Sequence, residues 1–186
     1  SDGVTSRTDI GSNEIEIRKQ AKKYACNILS IVQPTRFLGF PDNCMDTVAL
    51  LDIVQALEKV INEIEPEVIY THHIGDLNID HRITHKAVIT ACRPQPGFCV
   101  KEIYAFEVLS STEWQTPGVK VFYPNVFVDI ADYIDFKKQA LEAYFEEMRQ
   151  SPHSRSIDNA IRLNALRGNT VGLDYAEAFM LLRKIK

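Results

Sequence analysis

The chain has 186 residues, 45% apolar and 25% charged, with a net charge of −4 at neutral pH. Those values suit a soluble globular chain, and residues 1–186 read as a single domain. The negative charge argues against a general nucleic-acid or anionic-membrane surface, and no apolar run approaches the ~18 residues that a membrane span needs.

Taken in order, the first predicted element is a helix over 13–31. Ile15, Ala21, Ala25, Ile28 and Leu29 form its apolar stripe, and Ser12 or Asn13 can cap it. Pro34 closes that region. Arg36-Phe37-Leu38-Gly39-Phe40 reads as a short strand, and Pro41-Asp42-Asn43 as the turn after it. A second helix is expected over 47–64, with Leu51, Val54, Leu57, Val60, Ile61 and Ile64 at helical spacing and Pro66 as its stop. Val68-Ile69-Tyr70-Thr71 then reads as a buried strand, and the segment from Ile83 to Cys92 as a helix. Val100 to Leu109 and Phe127 to Ile130 are the next expected strands. Helices are expected at 133–149, 156–167 and 174–183, the last with Asp174 as its cap. Strand, helix, strand, helix is the βαβ rhythm of a parallel sheet. Cys26, Cys44, Cys92 and Cys99 show no C-x-x-C pairing and read as reduced thiols of a cytosolic protein.

Between Thr71 and Arg82 the chain concentrates chemistry: His72, His73, Gly75, Asp76, Asn78, Asp80 and His81. The cluster sits at the carboxyl end of a strand, where open α/β sheets place ligands. Its residue types suit a metal or general acid/base site. Asp76-x-Asn78-x-Asp80 matches the start of a calcium loop, but His81 stands where that loop needs Gly and Ala87 where it needs Glu. His81 and His85 share a helical face as zincin ligands do, but Arg82 replaces the zincin base. A polar strand-to-helix loop with Asp80 as helix N-cap is the plain structural reading. Alternation along the strand turns His72 and His73 to opposite faces, and Arg82 and His85 read as structural.

Asn78-Ile79-Asp80-His81-Arg82 resembles the second motif of the PIG-L/LmbE family of zinc-dependent N-acetylglucosaminyl de-N-acetylases. Asp2-Gly3-Val4-Thr5-Ser6-Arg7, Leu38-Gly39-Phe40-Pro41-Asp42-Asn43, Phe106 to Trp114 and Tyr175-Ala176-Glu177-Ala178-Phe179 are similar, in the same order, to other stretches of that family. The family's His-Pro-Asp-Asp motif has no counterpart in the chain. The resemblance therefore implies an α/β fold, a Rossmann-like three-layer sandwich with a mostly parallel sheet, N-terminally incomplete. A parallel sheet lacking a central strand would bury unpaired backbone groups, which is costly. A longer parent chain is the expectation, and this segment alone is expected to be inactive.

By the same resemblance, His81 is a zinc ligand and zinc the cofactor. Asn78 stands where many members carry a His that polarises the substrate carbonyl. Its amide N–H can donate to an oxyanion but cannot titrate, so any general-acid role must lie elsewhere, and His153 is a candidate for it. Asp80 adjoins the ligand and can orient its surroundings. Arg7, Asp42 and Arg155 are the candidate substrate contacts, through sugar hydroxyls or an anion. The implied reaction is hydrolytic removal of an N-acetyl group from an N-acetylglucosamine-type sugar or conjugate. The partner is a small amino sugar, with no nucleic acid, and self-association is left open. The rival from another class is a non-catalytic carbohydrate-binding or scaffold domain derived from the same fold.

Overall fold

The computed structural model describes residues 14–32, 35–118 and 120–186. Arg7 and the expected caps Ser12 and Asn13 lie outside the described residues. The elements in chain order are α1 (Glu14–Ile28), α2 (Leu50–Ile64), β1 (Val68–His72), α3 (Ile79–Ala91), β2 (Glu102–Phe106), β3 (Val126–Asp129), α4 (Ile134–Glu142), α5 (Ile157–Asn169) and β4 (Ala176–Lys184). They make a mixed α/β fold with a four-stranded sheet in the order β1-β2-β4-β3. No described helix is long and apolar enough to cross a membrane. By contact density the chain divides into one unit of Ser1–Gly39 with Phe127–Glu177 and a second of Phe40–Val126 with Ala178–Lys186.

The second unit is built on a βαβ crossover. β1 and β2 are parallel, in register from Val68 opposite Glu102 to His72 opposite Phe106, and α3 connects them. Helix α2 presents Ile53, Val54 and Ile61, and α3 presents Ala87, Val88 and Ala91, to a core shared with Met45, Cys92, Val100 and Ile103. These positions follow the helical spacing expected of one apolar face. Each large aliphatic side chain fully buried in it stabilises the unit by about 1.5–3 kcal/mol. α2 ends at Glu65, whose φ of 50° is left-handed, immediately before Pro66. Pro66 stops the helix as its missing N–H requires.

Two expectations fail here. The segment expected as a helix over 174–183 is strand β4, so Asp174 precedes a strand and has no helix to cap. Ala176 and Ala178 are buried while Glu177 and Phe179 are less so, a period of two. Pairing antiparallel to β2, with Ala105 opposite Met180 and Phe106 opposite Phe179, overrides the helical propensity of Ala, Glu, Met and Leu. Residues 36–40, expected as a strand, are irregular. An apolar run becomes a strand only where a neighbour takes its backbone hydrogen bonds, and no pairing to this run is seen among the described residues.

In the first unit α4 stops at Glu142, earlier than expected, and a series of turns follows. Glu147 sits between two guanidinium groups, 3.3 Å from Arg18 and 3.7 Å from Arg155. Ser156 caps α5 by accepting from the Asn159 N–H at 3.1 Å. Asn164, buried on α5, donates to the Ala176 carbonyl at 2.9 Å.

Candidate active site at the carboxyl end of the first strand

The chain leaves β1 at His72 and turns through Gly75 into α3. The turn is tight: the Asp76 N–H reaches the His73 carbonyl at 3.2 Å. Gly75 is required by close approach, because a Cβ there would collide with the Lys120 carbonyl oxygen and lie 2.7 Å from His73 Nε2. His72 and His73 diverge as strand alternation predicts. His73 is buried, with Nε2 2.5 Å from the Lys120 carbonyl and its ring edge-on to Phe122. His72 stacks on His81 with ring centroids 4.0 Å apart and packs beside Phe106.

Asp76 is the hub of this turn and is 0% exposed. Its Oδ1 accepts from Ser111 Oγ and, at 2.9 Å, from the Asn78 N–H. Its Oδ2 accepts from Thr112 Oγ1 at 2.8 Å. His81 Nδ1 lies 3.1 Å from Oδ1, a charge contact whose angle falls short of an aligned hydrogen bond. Burial alone would raise the Asp76 carboxyl. The contacts from His81, Ser111 and the Asn78 N–H outweigh it and lower the pKa to about 2. His72 goes the other way: burial first, then the adjacent His81, lower its pKa to about 3 against the pull of Asp76. Burial also lowers His85, whose Nδ1 lies 2.8 Å from the His72 carbonyl. Arg82 Nη1 donates to the Asp76 and Leu77 carbonyls, the latter at 2.6 Å, so Arg82 and His85 both brace the turn.

The N-cap of α3 is Asn78, not Asp80. Asn78 Oδ1 accepts from the Asp80 N–H at 2.8 Å and the His81 N–H at 3.4 Å. Asp80 falls inside the first turn, too late to cap it. Its buried carboxylate instead crosses to another segment and accepts from the Asn43 N–H at 2.7 Å and the Met45 N–H at 3.0 Å. Asn78 Nδ2 donates to Asn43 Oδ1 at 3.0 Å, and Asn43 Nδ2 lies 3.4 Å from Asp42 Oδ2. An amide carries two donors, so one Asn78 N–H remains after the bond to Asn43.

The structure thus brings Asn78, Asp80, His81 and Asp42 together. His153 and Arg155 belong to the other unit. There His153 is exposed, and its Nδ1 accepts from the Arg155 N–H at 2.9 Å, which leaves the proton of the neutral ring on Nε2. Sequence reasoning did not find Asp76 as a partner of His81, nor Ser111, Thr112 and Asn43 as supports. Asp76-x-Asn78-x-Asp80 marked the residues, but their partners lie more than 30 positions away. The calcium-loop and zincin patterns fare differently. Asp76 and Asp80 face N–H and O–H donors that a cation would have to displace, and His81 and His85 engage different partners.

Among the described residues no group of three His, Cys, Asp or Glu side chains converges on one point. His81 by itself is suited to zinc: its Nδ1 is buried against a carboxylate while the side chain is 21% exposed, so the accessible part of the ring lies away from Nδ1. An apolar groove of about 310 Å³, lined by residues of α2, β1 and α3 including Leu57, Val60, Ile69 and Thr84, reaches His72 in the same unit. The four cysteines are free, with Cys44 exposed in the turn beside Asn43 and Cys92 buried in the core. Burial raises the Cys92 thiol to about 11.

Several solved structures share the fold. A conserved protein from Thermus thermophilus is 21% identical, with a TM-score of 0.74 over 96% of this chain and 78% of its own. The N,N'-diacetylchitobiose deacetylase of Pyrococcus horikoshii is 16% identical, with a TM-score of 0.73 over 96% of this chain and 68% of its own. A 4-carboxy-2-hydroxymuconate hydratase from Pseudomonas putida is 18% identical, with a TM-score of 0.62 over 97% of this chain and 77% of its own. At such identities the likeness concerns the fold. The model of the PIG-L family, described as GlcNAc-PI de-N-acetylase, matches residues 1–92, which include β1, the Asp76 turn and all of α3. Through those residues the chain is similar to the PIG-L family.

Proposed function

We propose that the protein is a zinc-dependent hydrolase that removes an N-acetyl group from an N-acetylglucosamine-type sugar or sugar conjugate. The observation that carries the reading is His81: an imidazole at the mouth of a parallel βαβ unit, its Nδ1 held 3.1 Å from a fully buried carboxylate. The family match over residues 1–92 gives that imidazole its context.

An acetamide resists hydrolysis because its carbonyl is a poor electrophile and its amine a poor leaving group. Zinc, when bound, supplies Lewis acidity for the carbonyl and lowers the pKa of a water. His81 would hold it, together with ligands from outside the described residues. Asn78 presents its second amide N–H where negative charge grows on the carbonyl oxygen, a contribution that matters most in the transition state. Asp80 fixes the turn bearing Asp42 and Asn43 by binding the N–H groups of Asn43 and Met45. Asp42, Arg7 and Arg155 then orient the sugar through its hydroxyls or an attached anion. His153, with its proton on Nε2, is a donor suited to the carbonyl oxygen or the departing amine. The substrate is a small amino sugar or its conjugate, and the free thiols are consistent with a cytosolic setting.

A hydratase shares this fold, so the fold leaves the reaction open. Acetate release from N-acetylglucosamine and its conjugates by the zinc-loaded full-length protein decides it. Stoichiometric acetate that disappears with a chelator and returns with zinc is the expected result. Tight sugar binding without acetate release would favour the carbohydrate-binding alternative.

A further inference from the structure

We infer that Asp76 is a positioning residue that fixes His81 in its Nδ1–H tautomer and so keeps Nε2 bare for a ligand bond. The part of the inference that concerns zinc rests on the function proposed above. The part that concerns the tautomer rests on the geometry of this chain alone.

A neutral imidazole carries its proton on one nitrogen, and the neighbour of the other decides which. The polar neighbour of His81 Nδ1 is Asp76 Oδ1, at 3.1 Å, and that nitrogen is buried. The contact is not an aligned hydrogen bond, but a carboxylate oxygen only accepts, so its charge 3.1 Å away favours a proton on Nδ1 over a bare lone pair there. Both oxygens of Asp76 already act as acceptors, from Ser111 Oγ, Thr112 Oγ1 and the Asn78 N–H. Those donors also fix the carboxylate in place. Ser111 and Thr112 come from the segment after β2, where Glu113 accepts from the Ser110 N–H at 2.6 Å and Thr112 Oγ1 accepts from the Val108 N–H at 2.7 Å. The ring is held from its other side by the stack on His72, at 4.0 Å between centroids. Carboxylate, ring stack and helix N-terminus therefore specify both the orientation and the protonated nitrogen of His81. Carboxylates behind metal-binding histidines commonly contribute about 10–100-fold to affinity.

The test uses nitrogen-resolved NMR of the metal-free chain, comparing wild type with Asp76→Asn and Ser111→Ala, followed by zinc titration read at the His81 resonances. In the neutral ring of the wild type, the His81 proton should be found on Nδ1. Asp76→Asn, whose amide can offer an N–H to Nδ1, should shift the population toward the Nε2–H form. It should also weaken zinc binding at His81 by about 10-fold or more. Ser111→Ala, which loosens the carboxylate without touching the ring, should produce a smaller change in the same direction. Circular dichroism checks the fold of each variant. If Asp76→Asn does not fold, the wild-type tautomer and the Ser111→Ala shift carry the decision. An Nε2–H tautomer in the wild type, or a tautomer unmoved by a folded Asp76→Asn, would overturn the inference. A tautomer that follows Asp76 in a protein that releases no acetate would sustain it while defeating the deacetylase reading.

Discussion

Two loops of this molecule carry a histidine followed closely by an arginine, and they are built in opposite ways. In the second unit, residues 73–82 present His81 and Arg82 on a turn whose polar groups are bound by segments distant in sequence. Asp76 is held by Ser111 and Thr112, and Asp80 binds the N–H groups of Asn43 and Met45. In the first unit, residues 150–156 present His153 and Arg155 on a turn that binds itself and residues near it in sequence, with the Arg149 N–H reaching the Arg155 carbonyl at 3.1 Å and Asn159 Nδ2 the Ser154 carbonyl at 2.9 Å. His153 N–H reaches the Gln150 carbonyl at 3.1 Å, Ser156 N–H reaches the His153 carbonyl at 3.0 Å, and Arg155 N–H reaches His153 Nδ1. From outside the turn, Glu147 forms a salt bridge with Arg155. The difference suggests different duties. A ligand must be held at one angle, which takes buried tertiary contacts. A proton donor must meet substrate and release it, which an exposed, locally braced turn allows.

The largest expected effect is that of His81→Ala in the full-length protein. It should abolish acetate release and remove most of the zinc, measured by kinetics and metal analysis on the same sample. Full activity with normal zinc would break the comparison at its first term. Asn78 comes next, and its two roles can be separated. Asn78→Ser keeps an N-cap acceptor but loses the amide donor, so stability should hold while kcat falls about 10²–10³-fold with little change in KM. Asn78→Ala should lose the same activity and also about 1 kcal/mol of stability. A rise in KM with kcat unchanged would assign Asn78 to binding alone and pass carbonyl polarisation to His153.

His153→Gln should lower kcat about 10²-fold while leaving zinc content unchanged. A loss of zinc in that variant would mean that the two loops do not divide the work as proposed. A separate prediction concerns pH. His72, lowered to about 3 from an ordinary 6.5, is neutral when folded, whereas the unfolded chain takes up a proton below 6.5. The unfolded state then binds more protons, so stability falls as pH drops from 6.5 toward 3, by at most about 1.4 kcal/mol per unit for one group. Asp76 adds a second loss, from its ordinary 3.8 down to about 2, as its carboxylate is protonated. Thermal melts from pH 7 to 4 should show the first slope, and His72→Phe should flatten it. An unchanged slope in that variant would place the acid sensitivity elsewhere.

Much of the site was legible in the residues themselves. Apolar runs, helical spacing and Pro66 located α2 and β1, and the strand-to-helix switch put His81 on the first turn of α3. Alternation separated His72 from His73 because side chains on a strand point to opposite faces whatever their neighbours are. These are local consequences of backbone geometry, and a single segment suffices to settle them.

What only the tertiary structure decided concerns pairs of segments. Asn78 and Asp80 are both good caps by residue type, and the choice fell to Asn78 because the helix starts at Ile79 and Asp80 has Asn43 and Met45 to bind. Residues 176–184 carry helical propensity worth tenths of a kcal/mol per residue, which yields once β2 offers a ladder of backbone hydrogen bonds. Asp76 reads from sequence as one acid among several in a polar loop. It becomes the anchor of His81 only when the segment at 110–113 arrives to offset its burial with hydroxyl donors. Local propensity selects among conformations of one segment, while the energy of burying a charge depends on a partner that the segment does not contain.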